Sequence, residues 1–313
     1  MYNQKTMIYD LIIVGGGPAG VSAGVYAARK KLKTLVICGE FGGQSIVSEG
    51  IENWIGTVKI SGHDLATSLK NHLLAYAGDV LELKEGEYVN DVKKEGEIFK
   101  VSTEEGTYES KTVLIATGST RRKLEIPGAK EFDNKGLTYC ASCDGPLFAD
   151  QDVVVIGGGN AALETSAQLL AYCKSVTLLN RSEALKGDEI TIDKLKLNPK
   201  FKIILNAVPK EIKGDSFVKS IIYTDAKTSE DHEILTPGVF VEIGLIPTTS
   251  FVKNIVELNK FGQIPVDPRT QKTNVDGLWA AGDCTDGLYH QNNIASGDAV
   301  KALEDIYLAI HTK

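Results

Sequence analysis

Cys140 and Cys143 stand in the run Tyr139-Cys140-Ala141-Ser142-Cys143-Asp144-Gly145-Pro146, with an acid directly after the second thiol. Two cysteines at this spacing on a helical turn have Cα atoms roughly 5–6 Å apart, inside the range that a disulfide tolerates. A helix N-terminus at such a pair lowers a thiol pKa and makes the thiolate available. The same C-x-x-C pattern suits half of a zinc site. The chain has no second C-x-x-C and no spaced His pair to complete four ligands, so dithiol chemistry is the reading and no metal is assigned. A dithiol beside a dinucleotide fold reads as electron-transfer chemistry.

The elements that would position this chemistry follow at once. Asp152-Val153-Val154-Val155-Ile156 runs into Gly157-Gly158-Gly159-Asn160-Ala161-Ala162, and it repeats an earlier unit in which Asp10 to Val14 runs into Gly15-Gly16-Gly17-Pro18-Ala19-Gly20. In the first unit Gly15, Gly17 and Gly20 fill the G-x-G-x-x-G frame, and the stretch Ala19 to Ala28 is expected as the helix whose N-terminal amides face a pyrophosphate. The next strand, Thr34 to Ile37, ends near Glu40, where a carboxylate takes the ribose hydroxyls of an adenosine. Strand, loop, helix, strand and acid in this order make a strong signal where a lone glycine run would be weak. In the second unit Ala162 takes the third glycine's place, a helix is expected from about Ala161 to Tyr172, and Asn180 and Arg181 stand where the ribose acid belongs. One chain thus holds two dinucleotide-binding units.

Between and after these units lie further candidates. Gly42-Gly43 lets a backbone approach a flat ligand, and Gln44 and Asn53 carry amides suited to a heterocycle's edge. A surface turn with incidental polar residues accounts for that segment equally well. The strand Val113 to Ala116 ends in Thr117-Gly118, and Gly238 to Ile243 ends in Gly244, as if each marks a crossing between domains. Asp283, after Gly282, can accept hydrogen bonds from a cofactor's sugar or sugar-alcohol chain. Ser61 with Asp64 resembles a capping box that opens a helix closed at Gly78. Arg121-Arg122-Lys123 reads as a solvated linker face without function, and Cys38, Cys173 and Cys284 read as buried and inert.

Composition bounds the rest. A chain of 313 residues has room for two domains, and 42% hydrophobic with 24% charged residues is the balance of a globular protein with a real core. A formal charge of −7 argues against nucleic acid or an anionic membrane as partner. No apolar run approaches the roughly 20 residues of a bilayer span. Met1 to Asp10 lacks a signal-peptide core, and five scattered cysteines do not make a secreted disulfide framework, so a cytoplasmic protein is expected.

Over essentially its whole length the chain resembles low-molecular-weight thioredoxin reductases. Within that group it looks most like the flavoprotein subunit of alkyl hydroperoxide reductase without its N-terminal thioredoxin-like domains. The residues that carry this are Gly15 to Gly20, Phe41-Gly42-Gly43-Gln44, Ile51-Glu52-Asn53, Thr138 to Phe148 around the cysteines, Gly157-Gly158-Gly159-Asn160 and Ala280-Ala281-Gly282-Asp283. The resemblance implies an α/β fold of two Rossmann-like three-layer domains, the nicotinamide domain inserted into the FAD domain. Residues 1–117 and 247–313 would form the FAD-binding domain, and 118–246 the nicotinamide-binding domain carrying the dithiol.

By the same resemblance, FAD would take Gly15, Gly17, Pro18, Ala19, Gly20, Glu40, Gly43, Gln44, Asn53, Thr117, Gly118, Gly282 and Asp283, with His290, Gln291 and Asn292 at the flavin-contacting turn. NADH or NADPH would take Gly157, Gly159, Asn160, Ala161, Asn180, Arg181 and Lys186. Cys143 would meet the flavin, Cys140 the protein substrate, and Asp144 would give and take the dithiol's protons. The partner implied is a thioredoxin or glutaredoxin-like protein, and the assembly a homodimer. Domain rotation about Gly118 and Gly244 is implied as well.

One departure from the family stands out. NADPH-specific members place a His-Arg-Arg run and a further Arg after the second strand, where this chain reads Asn180-Arg181-Ser182-Glu183-Ala184-Leu185-Lys186. Lysine lacks the forked donors that grip a phosphate in two places. Acceptance of NADH, modestly preferred and without exclusion of NADPH, is therefore expected. Two other readings stay open: a ferredoxin-fed thioredoxin reductase with a vestigial second unit, and a flavin-binding redox sensor without turnover.

Overall fold

The computed structural model describes residues 7–48, 50–139 and 141–312. The chain forms two units, one running up to Thr120 and resuming at Ile246, the other spanning Arg121–Leu245. The borders expected from the sequence fell at 117/118 and 246/247; those observed are 120/121 and 245/246.

In the first unit, β1 (Ile8–Gly16), α1 (Pro18–Arg29), β2 (Thr34–Phe41), α2 (Gly62–Ala77) and β3 (Leu81–Glu85) are followed by β4 (Asp91–Glu95), β5 (Ile98–Ser102) and β6 (Thr107–Ile115). After β7 (Ser119–Arg121) and the excursion through the second unit, β17 (Leu278–Ala280) and α6 (Asn292–His311) complete it. The sheet order is β3-β2-β1-β6-β5-β4, with β17 also on β6. Strand β6 divides its edges: Thr107 to Ser110 pair antiparallel with β5, while Val113 to Ile115 pair parallel with β17.

The continuous apolar run of β1 follows from burial on both faces. Leu11 and Ile13 pack with α1, α2 and α6, whereas Ile12 and Val14 pack with the β4–β5 side and with Val252, Val256 and Ile264. Helix α2 starts at the expected cap: Ser61 Oγ accepts from the Asp64 backbone N–H at 3.0 Å and donates to the Asp64 carboxylate at 2.7 Å. It stops at Gly78, whose φ of +50° suits a residue without Cβ.

The second unit repeats the plan with β8 (Leu137–Thr138), the short helix α3 (Ala141–Asp144), β9 (Asp152–Gly157), α4 (Asn160–Leu169), β10 (Ser175–Asn180), α5 (Glu189–Lys196) and β11 (Phe201–Leu205). Then come β12 (Ala207–Gly214), β13 (Val218–Asp225), β14 (Asp231–Leu235), β15 (Gly238–Glu242) and β16 (Leu245–Pro247). A parallel sheet β11-β10-β9-β15-β8 carries α4 on one face, where Val153, Val155 and Phe240 pack. Its other face, with Val154, Ile156 and Val241, packs on Ile212, Ile221 and Tyr223 of the antiparallel β12-β13-β14 layer. At the two crossings β7 pairs with β16. Among the described residues no helix is long and apolar enough to cross a membrane.

Candidate functional site

In the first unit the expected residues gather at the carboxyl ends of the parallel strands, the position at which open α/β sheets take ligands. Gly15 has φ +127°, and a Cβ there would stand 2.2 Å from the Ala116 carbonyl oxygen, so β1 and β6 converge on a residue that must be glycine. A Cβ on Gly20 would stand 1.9 Å from the Gly15 carbonyl, while one on Gly17 would meet nothing within 4 Å. Gly17 is the N-cap of α1, with Pro18 next, no side-chain cap and no acid in the first turn. Backbone N–H groups are thus presented at an uncrowded glycine, as an anionic ligand requires. Glu40 is exposed near the end of β2, and its carbonyl would lie 2.5 Å from a Cβ on Gly16.

The polar groups around this loop hold one another. Gln44 Nε2 donates to Ser119 Oγ at 2.8 Å and lies 3.5 Å from the Asp283 carboxylate. Burial pushes the Asp283 carboxyl above its ordinary range, against the opposing pull of His290. Gly282 packs close to Ala19: a Cβ there would be 3.4 Å from the Ala19 Cβ. Asn53 Nδ2 donates to Gln291 Oε1 at 2.9 Å, and Ser45 Oγ donates to Asn292 Oδ1 at 2.8 Å. The His290 ring lies 3.0 Å from the Gly287 carbonyl, closing its own loop. Gly43 is in the left-handed region beside Gly17, Thr117 Oγ1 donates to the Thr248 carbonyl at 2.6 Å, and the Gly118 carbonyl accepts from the Thr248 N–H at 3.0 Å.

In the second unit Gly159 is the N-cap of α4, again with no side-chain cap, no first-turn acid and nothing within 4 Å of an added Cβ. Gly157 meets the Glu242 carbonyl, 2.4 Å from an added Cβ, as Gly15 meets Ala116. Ala161, Arg181 and Lys186 are exposed around this loop, and the Lys186 N–H donates to the Gly158 carbonyl at 2.7 Å. Asn160 and Asn180 each have partners within the unit. Asn160 is occupied structurally, its Oδ1 accepting from the Asp188 N–H at 2.7 Å. Asn180 is only 5% exposed, and Nδ2 donates to the carbonyls of Ser182 (3.0 Å) and Ala184 (2.9 Å). Both its amide hydrogens are used, so Oδ1, lying against Gly158, is the group left to a ligand, and it only accepts.

Of the dithiol, Cys140 lies outside the described residues and Cys143 lies in α3. Asp144 closes α3, and its carboxylate accepts from Thr138 Oγ1, a partner on β8 whose role the sequence around the cysteines does not signal. Gly145 seats this segment against α4, since a Cβ there would crowd Tyr172 and Leu169. Cys38, Cys173 and Cys284 are buried, and burial pushes their thiols up to about 12, 11 and 11, away from reactivity.

Other residues at these loops carried no sequence signal. Ser119 and Ser45 serve Gln44 and Asn292, and Asn293 Nδ2 donates to the Asn53 carbonyl at 2.6 Å. Glu242, at the end of β15, accepts from Thr165 Oγ1 of α4 at 2.9 Å. Nothing local marks these residues, because their partners are distant in sequence.

The pyridine nucleotide-disulphide oxidoreductase profile matches residues 9–299. An NADH dehydrogenase of Bacillus subtilis is 42% identical over 295 residues, covering 94% of this chain and 57% of that protein. An alkyl hydroperoxide reductase subunit of Staphylococcus aureus matches with the same identity and coverage. The chain therefore spans a little over half the length of these curated relatives. The crystal structure of Lactococcus lactis thioredoxin reductase superposes with a TM-score of 0.88 at 34% identity, covering 97% of this chain and all of that one. Thioredoxin reductase of T. acidophilum gives 0.84 at 37% identity, covering 96% and 98%.

Proposed function

The chain belongs to the pyridine nucleotide-disulphide oxidoreductase family, with FAD and NAD(P)H as its cofactors, and from that premise we propose that it is a protein-disulfide reductase of the thioredoxin-reductase type. The first unit has the donor and acceptor set that FAD requires. Open amides at Gly17 suit a pyrophosphate, Glu40 a ribose, desolvated Asp283 the sugar-alcohol chain, and Gln44 with Asn53 the ring edge. The second unit offers the same open helix start at Gly159 and an acceptor at Asn180 for a ribose hydroxyl. Bound FAD supplies the two-electron chemistry between nicotinamide and dithiol.

The observation that carries the reading is Asp144, next to Cys143 and oriented by Thr138. Exchange with a partner disulfide needs a thiolate to attack, a thiolate to leave, and a group that takes and returns their protons. A carboxylate that follows Cys143 in the chain and is held by a hydroxyl suits that task, and a sensor without turnover does not need it. Cys140 is the thiol for a thioredoxin or glutaredoxin-like protein, and Cys143 the one on the flavin side. A cytoplasmic setting and a homodimer belong to the same reading; light scattering of the purified protein tests the second.

The deciding experiment is anaerobic titration with NADH and NADPH in turn, following flavin absorbance, then addition of an oxidised thioredoxin-type protein and assay of its thiols. Flavin bleaching by a nicotinamide nucleotide and stoichiometric reduction of the partner are expected. Cys140→Ser and Cys143→Ser should each abolish the second step and spare the first. Bleaching by reduced ferredoxin alone would replace the reading with the ferredoxin-fed one. Bleaching without reduction of any disulfide protein would leave a redox sensor.

A further inference from the structure

The duplication exposes a substitution that the folding of a Rossmann unit does not require. By strand register, β1 sets Val14 against Ile115, and β9 sets Ile156 against Val241 and Gly157 against Glu242, so Glu242 occupies the place of Ala116. Counting from the N-cap glycines, Thr165 on α4 occupies the place of Ala23 on α1. The first unit fills both places with buried alanines packed in one core, at 5% and 0% exposure. The second fills them with a hydrogen-bonded Thr165–Glu242 pair whose carboxylate is half-buried. Burial holds that carboxyl above its ordinary range, although Arg121 and the Thr165 hydroxyl oppose the shift; exposed Glu164 adds to it. A carboxylate held against desolvation where two alanines suffice points to a ligand group that it must meet.

The sheet order says which group. Asn180, at the end of β10, lies on one side of β9 and its glycine loop; Glu242, at the end of β15, lies on the other. A dinucleotide whose pyrophosphate sits at the start of α4, with its adenosine ribose toward β10, extends its other half over the end of β15. The donors of that half nearest the pyrophosphate are the two hydroxyls of the second ribose. Among the described residues Oε1 of Glu242 carries the Thr165 bond, and Oε2 remains to accept.

We propose that Glu242, held by Thr165, is a specificity-determining residue that accepts hydrogen bonds from the ribose on the nicotinamide side of the nucleotide. This rests on the reading of the second unit as the nicotinamide-binding one. Isothermal titration of the flavin-loaded protein tests it with NAD⁺ and ADP-ribose, which carry the second ribose and do not reduce the flavin, and ADP, which lacks it. The double change Thr165→Ala with Glu242→Ala reproduces the alanine pair of the first unit and so keeps a packing this fold accepts. It should weaken NAD⁺ and ADP-ribose about 10- to 100-fold and leave ADP within about twofold. Glu242→Gln, which keeps one acceptor, should weaken the first two by a smaller factor. Equal losses for all three ligands, or no loss for any, would overturn the assignment. Failure of the unaltered protein to bind NAD⁺, NADP⁺ and ADP-ribose would instead remove the nucleotide reading of the second unit, and the proposal with it.

Discussion

Gly15 and Gly157 do the same steric work, each letting a neighbouring strand's carbonyl approach, at Ala116 and at Glu242 respectively. At the third glycine position the two loops part. Gly20 lies so close to the Gly15 carbonyl that a Cβ would reach 1.9 Å, whereas the second unit places Ala162, fully buried, at the corresponding point. The first helix is therefore drawn tighter onto its strand than the second. Around that tighter loop, Gln44 and Asn53 are tied to Ser119 and Gln291, while Arg181 and Lys186 stand exposed around the looser one. On the proposed reading, a unit that keeps its nucleotide and a unit that exchanges it would differ in this way: the same frame, with close backbone contact and locked side chains in one and an open rim in the other.

The sharpest break of this comparison is at that third glycine position. Gly20→Ala forces a Cβ into the Gly15 carbonyl and should cost more than about 3 kcal/mol, read as loss of bound flavin and a collapsed thermal transition. The mirror change, Ala162→Gly, should cost about 1 kcal/mol from helix propensity alone and retain flavin. If both changes cost the same, the tighter packing of the first loop has no energetic meaning.

Next comes the chemistry that the second unit carries and the first lacks. Asp144→Asn keeps the shape and loses the proton, so disulfide exchange should slow by about 10²–10⁴-fold while nucleotide-driven flavin bleaching changes little. Stopped-flow traces of the two half-reactions separate these outcomes, and equal loss in both would make Asp144 structural. Thr138→Val should give a partial loss of the same kind, because the carboxylate keeps its place less well.

A smaller effect is expected at the adenosine end. Glu40 lies near the end of β2 and Asn180 at the end of β10, the corresponding strand of the second unit, and the amide hydrogens of Asn180 are bound to Ser182 and Ala184. A free Oδ1 would accept from a 2′-hydroxyl but would face a 2′-phosphate acceptor to acceptor. NADH should thus bind tighter than NADPH by about fivefold, an effect of about 1 kcal/mol. Lys186→Ala should widen the gap by weakening the 2′-phosphorylated nucleotide alone; titration calorimetry with NAD⁺ and NADP⁺, which differ in the same group and do not reduce the flavin, reads both. Tighter binding of NADPH would mean that the exposed Arg181 and Lys186 outweigh the acceptor.

The smallest prediction concerns Glu242 against its counterpart Ala116. Burial raises the folded-state carboxyl above its unfolded value, so the folded state is favoured in full below the ordinary carboxylate range, and that advantage is lost as pH rises through the raised value. Glu242→Gln should therefore raise the melting temperature by roughly 1–2 °C at neutral pH and by nothing measurable in acid, a modest figure because the group is half-exposed. An unchanged difference across pH would show that the carboxylate's ionisation does not weaken the fold.

Much of the fold can be read without coordinates, because it depends on neighbours in sequence. The apolar runs Leu11 to Val14 and Val153 to Ile156, each followed by glycines, specify a buried parallel strand and a sharp turn into a helix, and Ser61 with Asp64 specifies where α2 starts. These are steric and hydrogen-bonding rules that operate within a few residues. Asn180 shows where such rules stop: its type and place suggest a ribose ligand, but which of its atoms face outward depends on the carbonyls of a loop that folds back over it. Asp144 was visible as an acid beside a thiol, whereas the Thr138 hydroxyl that orients it comes from another element, β8. Glu242 could not be singled out at all, since its correspondence with Ala116 exists only once β15 is registered against β9 and β6 against β1. The glycine frames, the order of elements and the dithiol with its acid are written in the chain itself, because backbone sterics are local. Which polar atom meets which partner is settled in three dimensions, because hydrogen bonds between strands and helices join residues that the chain keeps far apart.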